Sequence, residues 1–421
     1  MLRIVQSTDR AALAQLFARR RQRLEKAEAV VAPILEAVRK RGDRALVQYA
    51  RKFDGLTAPS VRVPLEELRQ AAAGLAPELR KALKTASAQI GGFARMQMPR
   101  CWTKRLKGGL RLGQIVRPLS SVAAYIPGGR YPLPSTLMMT VIPARIAGVP
   151  SISVASPKPP AQTLGTAGFL GVENFFHMGG AQAIAAFAFG TETVPRAERI
   201  VGPGNIYVAA AKKLLAGEVG IDFIAGPTEI LLIAPQTPLK GDASFLAADM
   251  LAQAEHDVDA AAILLTTSKR LAAQVAKEVE RQLATLSTRA IAAKALANNS
   301  AIVVTQSQQE AIEISNRFAP EHLSLPDESL VKMVENAGSI FVGRWSPEAA
   351  GDYASGPNHV LPTGGTAALR GGLSVLDYVK IISVQQLEER GLRTLAPSVI
   401  TLARAEGLEA HARSIEVRTH G

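Results

Sequence analysis

The chain has 421 residues, 47% of them hydrophobic and 20% charged, and its 49 Lys and Arg against 36 Asp and Glu give a formal net charge of +13. This length exceeds what one hydrophobic core usually serves, and the composition excludes a largely disordered chain, so we expect two or more folded domains. Cys101 is the only cysteine. A single cysteine excludes an intramolecular disulfide and a cysteine-rich zinc site, and it is typical of a reducing compartment.

The net positive charge has two interpretations. Nucleic-acid-binding surfaces interleave aromatic with basic residues, but here aromatic residues make up only 5% and the densest basic runs, residues 19–23 and 104–111, are short. We therefore interpret these runs as solvated faces, expect no nucleic-acid partner, and expect the charge to favour anionic ligands such as a dinucleotide. The sequence has no secretory signal and no apolar run near the roughly 20 residues that span a bilayer, so it predicts a cytoplasmic protein without a membrane partner.

Helical periodicity dominates the N-terminal part of the chain, where residues 29–49 and 65–93 place apolar side chains at helical spacing. From about residue 113 the pattern changes to short β-rich apolar segments, at residues 122–126, 151–155, 199–201, 230–234, 262–266, 301–305 and 339–342. Helical stretches separate them, at residues 134–147, 182–188 and 206–215, and the chain is helical again from residue 376. Strands alternating with helices predict an α/β fold with parallel sheets.

Histidine is scarce, and its placement is informative. Four of the six histidines lie in polar clusters: His256, His322, His359 and His411, the last of which follows Glu406 by five residues. Imidazole is the commonest protein ligand of zinc and the usual proton carrier near neutral pH. The clusters therefore indicate candidate metal or acid–base residues.

The first cluster lies on a predicted helix that Asp242 caps. Gln253 and His256 are three residues apart, so they project from one face of this helix and can bind one ion together. A lone histidine on a helix is more often packed or at the surface than a ligand, and the pair alone is a weak signal.

The second cluster places an acid beside a base. Glu321 and His322 follow Pro320, and neighbouring side chains point apart, so the two would act on opposite sides of a substrate as general acid and base. The alternative is a helix start, where Glu321 would lie near the positive end of the dipole. The residues alone favour this alternative.

The third cluster, residues 351–362, is too polar and too rich in Gly and Pro for a core element. It carries Asp352, Tyr353, Asn358 and His359, and loops of this composition on a scaffold commonly build sites. Gly-rich turns at residues 127–129, 179–182 and 202–205 suit phosphate binding, but none completes the G-x-G-x-x-G pattern of dinucleotide-binding folds.

Together these segments closely resemble the histidinol dehydrogenase family, in the same order over almost the whole chain. The matching segments are residues 122–129, 179–186, 201–205, 225–229, 253–256, 318–323, 351–353, 356–363 and 406–411. The resemblance implies an α/β fold of two Rossmann-like parallel-sheet modules, in an aldehyde-dehydrogenase-like arrangement with helical N- and C-terminal segments. The implied division is an N-terminal helical segment (1–20), a discontinuous first α/β domain with the zinc and catalytic residues (21–121 and 229–371), a second, NAD-side α/β domain (122–228) and a C-terminal helical arm (372–421).

The resemblance also implies the activity: the NAD-dependent, four-electron oxidation of L-histidinol to L-histidine through histidinal, at the end of histidine biosynthesis. One Zn²⁺ per subunit would hold the substrate, with the ligands Gln253, His256, Asp352 and His411. Glu321 and His322 match the acid–base pair.

The remaining matched positions contact ligands. The substrate contacts would be Thr228, Gln253, His256, His322, Asp352, His359, Glu406 and His411, and the NAD contacts Tyr125, Gln182 and Asn205. In such enzymes the C-terminal arm reaches the active site of the partner, so Glu406 and His411 would act across a homodimer.

One position departs from the family pattern, because Thr228 stands where members commonly carry Ser. The added methyl leaves open a zinc- and NAD-linked dehydrogenase for another small alcohol, whereas Glu406 favours histidinol. A nucleic-acid-binding protein is the alternative from another class, and it leaves the clusters of histidine unexplained.

Overall fold

The computed structural model describes residues 2–19, 24–128 and 131–419. Residues 20–23 of the first basic run and Gly129 of the first Gly-rich turn lie outside the described residues. The strands are β1 (Arg3–Gln6), β2 (Trp102–Arg105), β3 (Leu110–Pro118), β4 (Ser121–Tyr125), β5 (Ser151–Ser156), β6 (Asn174–His177), β7 (Arg199–Val201), β8 (Gly220–Ile221), β9 (Glu229–Ile233), β10 (Ala261–Thr266), β11 (Ala301–Val304), β12 (His322–Leu325), β13 (Ser339–Val342) and β14 (Val379–Leu387).

The helices surround these strands and connect them. They are α1 (Arg10–Arg19), α2 (Glu25–Arg41), α3 (Asp43–Asp54), α4 (Leu65–Ala73), α5 (Pro77–Gln97), α6 (Pro134–Ile146), α7 (Ala161–Phe169), α8 (Gly180–Phe189), α9 (Ile206–Leu215), α10 (Asp242–Ala254), α11 (Lys269–Leu283), α12 (Arg289–Asn299), α13 (Gln308–Phe318), α14 (Glu348–Tyr353), α15 (Glu389–Ala405) and α16 (Glu409–Thr419). Among the described residues, no helix is long and apolar enough to span a membrane.

The larger sheet, sheet A, has six parallel strands in the order β1-β11-β10-β9-β12-β13. Strands β9 and β10 are buried along their whole length, as expected for parallel strands covered by helices on both faces. Helices α10 to α12 cover one face, and α1 and α13 cover the other.

The second parallel sheet, sheet B, has five strands in the order β6-β5-β4-β7-β8. Helices α4, α5 and α6 pack on one face of this sheet, and residues 135–144 of α6 are buried on every side. Helices α2, α3, α8 and α9 pack on the other face. The hydrophobic residues of α2 to α5 thus join the cores around sheet B.

Sheet C is a three-stranded antiparallel sheet in the order β14-β3-β2. Strand β14 is exposed at every residue after Val379. Helices α15 and α16 follow it and pack against each other.

The predicted α/β fold with two parallel-sheet modules is confirmed. Three local features differ from the expectation. The N-terminal segment starts with β1, a strand of sheet A, and the C-terminal arm contains β14, although both segments were expected to be helical. Helices α2 to α5 pack on sheet B, whereas the predicted division grouped residues 21–121 with the residues of sheet A. Strand β1 was missed because four residues are too few to show a period of two.

Both parallel sheets contain a point where the chain changes the direction in which it adds strands. In sheet B this point lies between β4 and β7, and in sheet A it lies between β9 and β12. At such points the connections leave adjacent strands in opposite directions and open a crevice at their carboxyl ends, where ligands of α/β proteins commonly bind. The fold therefore offers two equivalent crevices.

Candidate active site

A cavity of about 180 Å³ lies between the amino ends of β9 and β12 in sheet A and the carboxyl edge of sheet B. Most of its polar walls come from the predicted clusters. The lining includes Thr228, His256, Glu321, His322, Asp352, Tyr353, His359 and Thr363, with Leu133, Thr136 and Pro203 from the side of sheet B.

Glu321 lies directly before β12 and is only 5% exposed. Its Oε2 accepts hydrogen bonds from Thr228 Oγ1 at 2.6 Å and from the backbone N of Glu229 at 2.7 Å. Burial raises the pKa of Glu321, while the charge of His322 and these two hydrogen bonds oppose the shift. A buried carboxyl with a raised pKa is a candidate for proton transfer.

His322 is the first residue of β12, and its ring has two different sides. Nδ1 lies 3.1 Å from the carbonyl oxygen of Glu229 and 3.2 Å from Glu348 Oε1, so this nitrogen carries the proton. Nε2 is buried, and no described residue forms a hydrogen bond with it; the nearest carboxylate oxygen, Asp352 Oδ1, is 3.6 Å away. In the neutral ring Nε2 is therefore a free base at the cavity wall.

The charges around His322 are unbalanced. Burial acts to lower the pKa of His322, but the carboxyl groups of Glu348, Glu321 and Asp352 raise it to about 10. The charge of His322 in turn holds the pKa of Asp352 below its ordinary value, although burial opposes this shift. With all three ionised, the carboxyl groups beside one imidazole would leave a surplus of negative charge, and a divalent cation would favour that ionised state.

Glu348, the first residue of α14, is a member of this site that the sequence analysis missed. It is 4% exposed, and burial raises its pKa to about 8. His322, Glu348 and Asp352 each bring a ligand atom within 4.8 Å of the others. The spacing of Glu348 and Asp352, four residues apart on one helix, was the available signal for a shared face.

Three of the four predicted metal ligands meet at the cavity. His256 Nδ1 lies 3.0 Å from the carbonyl oxygen of Ala252, which leaves Nε2 directed to Asp352 Oδ2 at 3.9 Å. Gln253 is fully buried, and with its amide nitrogen toward Glu348 its oxygen lies 2.7 Å from Thr228 Oγ1, the hydroxyl that donates to Glu321, and 3.1 Å from the backbone N of Glu229. The fourth predicted ligand, His411, is exposed on α16, and Glu406 is exposed between α15 and α16, away from this cavity.

His359 follows the same pattern as the other two histidines. Its Nδ1 lies 2.7 Å from the carbonyl oxygen of Asp352, and its Nε2 lies 3.2 Å from Thr136 Oγ1. Burial lowers the pKa of His359, so the ring is neutral at pH 7. A bond from Nδ1 to a carbonyl oxygen fixes the ring and leaves Nε2 for a ligand or substrate.

The predicted NAD-contacting residues lie at the carboxyl edge of sheet B. Tyr125 ends β4, and its hydroxyl accepts from Gly180 N at 3.1 Å; Gln182, on the first turn of α8, donates from Nε2 to Asp54 Oδ2 at 2.9 Å. Asn205 caps α9, where Oδ1 accepts from Tyr207 N at 3.0 Å. None of the three lines the cavity itself.

Asp54 is a second residue that the sequence analysis missed. It is buried at the end of α3, and its Oδ2 also accepts from Gly179 N at 2.9 Å. It therefore connects α3 to the first turn of α8 and fixes the amide of Gln182. Asp54 and Gln182 are 128 residues apart in the sequence, so no local pattern could show that they meet.

A buried ion pair shapes the loop that leads to Asn205. Lys212 Nζ lies 2.6 Å from Asp222 Oδ1 and donates to the carbonyl oxygen of Gly202 at 2.7 Å. Asp222 Oδ2 accepts from Gly202 N at 2.7 Å, so both backbone groups of Gly202 are held.

Comparison with known proteins identifies the family. A family model described as histidinol dehydrogenase matches residues 17–419. The chain belongs to the histidinol dehydrogenase family. It is 46% identical over 419 residues to histidinol dehydrogenase from Geobacter sulfurreducens, covering 97% of each chain, and 44% identical over 429 residues to that from Methanothermobacter thermautotrophicus, covering 99% of each. The crystal structure of histidinol dehydrogenase from Elizabethkingia anophelis superposes with a TM-score of 0.94 at 37% identity, covering 99% of this chain and 98% of the other.

The predicted resemblance is thus confirmed, and with it the prediction of an oxidoreductase of histidine biosynthesis. The sequence placed the acid–base pair and most of the cavity wall in one site, and the structure brings these residues together. Glu406 and His411 are the exception, because within a single chain they lie outside the cavity.

Proposed function

We propose that the protein catalyses the NAD-dependent, four-electron oxidation of L-histidinol to L-histidine through histidinal, with Zn²⁺ holding the substrate. The observation that carries the proposal is the cavity between the two sheets, where Glu321, His322, His256 and Asp352 meet in a chain of the histidinol dehydrogenase family. The single cysteine, typical of a reducing compartment, supports a cytoplasmic location.

The donors at the cavity fit a zinc ion. Gln253, His256 and Asp352 offer an amide oxygen, an imidazole nitrogen and a carboxylate, and the surplus negative charge suits a divalent cation. Bound there with His411, the ion would orient the nitrogens of the substrate and polarise its hydroxyl. Glu348 is a less suitable ligand, since its oxygens already face His322 and the amide of Gln253. It would orient these two groups instead.

The first oxidation requires a base for the alcohol proton. His322 would fill this role in its neutral form, which a divalent cation would favour by offsetting the carboxyl groups that raise its pKa to about 10. In that form Nδ1 is held by Glu229 and Glu348, and Nε2 is free toward the cavity. His322 would take the hydroxyl proton on Nε2, and NAD, when bound, would supply the acceptor for the hydride of the carbinol carbon, which leaves histidinal.

The second oxidation requires water to add to the aldehyde. Glu321 is placed to take a proton from that water, since its burial raises its pKa toward the range of a general base. The resulting hydrate would lose two protons and a second hydride, for which a second NAD would be the acceptor, and would become the carboxylate of histidine. A thiol adduct is an alternative in other aldehyde oxidations, but Cys101 is exposed next to sheet C and does not line the cavity.

The NAD would lie at the crevice of sheet B, where parallel α/β sheets commonly bind nucleotides. Strands β4 and β7 flank this crevice: Tyr125 ends β4, Asn205 caps α9 after β7, and the buried Gln182 supports the crevice from α8. Pro203 joins this edge to the cavity, so a nicotinamide ring could reach the substrate.

A second copy of the chain would complete the site. Of the proposed zinc ligands, His256 and Asp352 line the cavity and Gln253 contacts Thr228 in its wall, whereas His411 lies with Glu406 on the exposed arm. That arm, α15 and α16 after β14, leaves apolar side chains in solvent, among them Leu395, Leu402 and Val417. Exposed apolar surface of this kind is typical of an interface, and we infer a homodimer in which each arm enters the cavity of its partner.

The experiment that tests the proposal measures NADH formed per L-histidinol consumed, with and without a metal chelator, together with the product. We expect two NADH per L-histidine, loss of activity on chelation and recovery with Zn²⁺. If zinc-loaded protein does not turn over histidinol, the substrate assignment is wrong, and other polar alcohols become the candidates because Thr228 adds a methyl to the cavity wall.

A further inference from the structure

The crevice of sheet A holds a cavity that the proposed reaction does not use. It lies at the carboxyl ends of β9 and β12, where the chain changes direction in the sheet, and it has a volume of about 160 Å³. Its position in sheet A is equivalent to the crevice of sheet B that would take the NAD. His322, at the start of β12, lines the active site, and Leu325, at the end of β12, lines this cavity. The two sites therefore lie at opposite ends of one strand, about 10 Å apart.

The walls of this second cavity are mainly apolar. The strand ends supply Ile233, Leu325 and Pro326, and the loops supply Pro235, Leu239 and Pro347. Helix α10 supplies Asp242, Phe245, Leu246 and Asp249, whose spacing of three, four and seven residues places them on one face of the helix. The lining shares no residue with that of the active site.

Three charged groups line the cavity, and two of them neutralise each other. Arg344 Nη2 lies 3.6 Å from Asp242 Oδ1 and donates to the carbonyl oxygen of Lys240 at 3.3 Å, while its guanidinium packs over the rings of Phe245 and Trp345. Asp249 forms no hydrogen bond or ion pair within the part of the chain that the structure describes, and burial alone raises its pKa to about 6. The cavity therefore carries one uncompensated carboxylate on an otherwise apolar wall.

We propose that this cavity is a second ligand site, which takes a compact one-ring organic cation whose protonated amine binds Asp249. A cavity of roughly 150 Å³ admits a ring the size of benzene, so the volume sets the limit of one ring. The apolar walls bury the ring, and the amine supplies the positive charge that Asp249 lacks. A charge-assisted hydrogen bond to a partly buried carboxylate is stronger than a neutral one, so Asp249 selects cations over neutral rings.

Benzylamine is the probe for this proposal, and Trp345 is the reporter. Trp345 is 81% exposed at the rim, its ring centroid lies 6.0 Å from that of Phe245, and Trp102 on β2 is the only other tryptophan. We expect saturable fluorescence changes with benzylamine in the full-length protein. Benzyl alcohol, the neutral analogue, should bind at least about tenfold more weakly.

Variants place the probe in the cavity. Trp345→Phe should abolish the signal, and Asp249→Asn should weaken benzylamine binding about tenfold while leaving benzyl alcohol unchanged. Asp259→Asn, an exposed carboxylate after the same helix, should bind like the original protein. Equal affinity for amine and alcohol, or unchanged binding in Asp249→Asn, would each overturn the proposal. The comparison of the two probes needs no variant, so it holds even if Asp249→Asn fails to fold.

Discussion

The two halves of the proposed active site differ in burial and in the hydrogen bonds that fix their side chains. In the body of the protein, Glu321, His322 and Glu348 are at most 5% exposed, and hydrogen bonds fix them from several elements. On the C-terminal arm, Glu406 and His411 are exposed. Folding of one chain thus prepares the acid–base half, whereas the arm half needs a second surface to fix it. A residue can thus be assigned to a site by its sequence although, within a single chain, it lies outside that site.

The strongest test of the body half is Glu321→Gln. The amide retains the shape but cannot take a proton from water, so we expect oxidation of histidinal to fall by about 10²–10⁴. Oxidation of histidinol should fall less, because His322 serves that step. The two steps are measured separately by supplying histidinol or histidinal with NAD. Glu255→Gln, at the end of α10 and outside the cavity, is the matched control. Equal loss in both steps would contradict the division of roles.

The arm half is tested by His411→Ala. Loss of a ligand should lower both zinc content and activity, and full metal occupancy with normal turnover would refute the assignment. Arg413→Ala, exposed on the same helix, should change neither.

Mixing chains separates an arm that acts on its own cavity from one that acts on its partner. Equal amounts of His411→Ala and Asp352→Ala chains, unfolded and refolded together, should regain about a quarter of full activity, since half of the dimers would carry one intact site. No recovery would place His411 in the site of its own chain.

The sequence predicted the body better than the arm, for physical reasons. Alternating β-rich and helical segments identified the two parallel sheets, because their strands are buried and apolar. Strand β14 was read as helical, because its exposed residues follow no pattern of burial. Within the site, Glu348 was missed since a lone Glu near Pro347 is typical of a helix start. Asp54 was missed because only the packing of α3 on α8 brings it to Gln182.

The NAD side of the body gives a smaller expected effect. In Asp54→Ala, Gly179 N and the amide of Gln182 lose their acceptor, so we expect the KM for NAD to rise about tenfold and the KM for histidinol to stay unchanged. Asp43→Ala, at the other end of α3, is the control because its carboxylate bonds Thr193 instead. An equal rise in that control would show that the effect comes from loosening α3.

The smallest expected effect concerns Asp249, a buried carboxyl of the body that no partner fixes. Burial raises its pKa from 3.8 to about 6, so the folded state holds the proton more tightly than the unfolded state. Its ionisation therefore costs stability as the pH rises from about 4 to about 6. Asp249→Asn should raise Tm at pH 7.5 by about 2 °C or more, with the gain disappearing toward pH 4. A gain that is equal at both pH values would contradict this account.

The buried pair of Lys212 and Asp222 also bears on how this chain can change. Each side chain is at most 2% exposed, and removing one leaves the other charged and without a partner in the interior. A joint replacement by apolar residues of similar volume avoids that cost, but it gives up the bonds that hold Gly202. A single substitution at either position is therefore expected to destabilise the fold. We therefore expect the two residues to persist or to be lost together wherever this loop is kept.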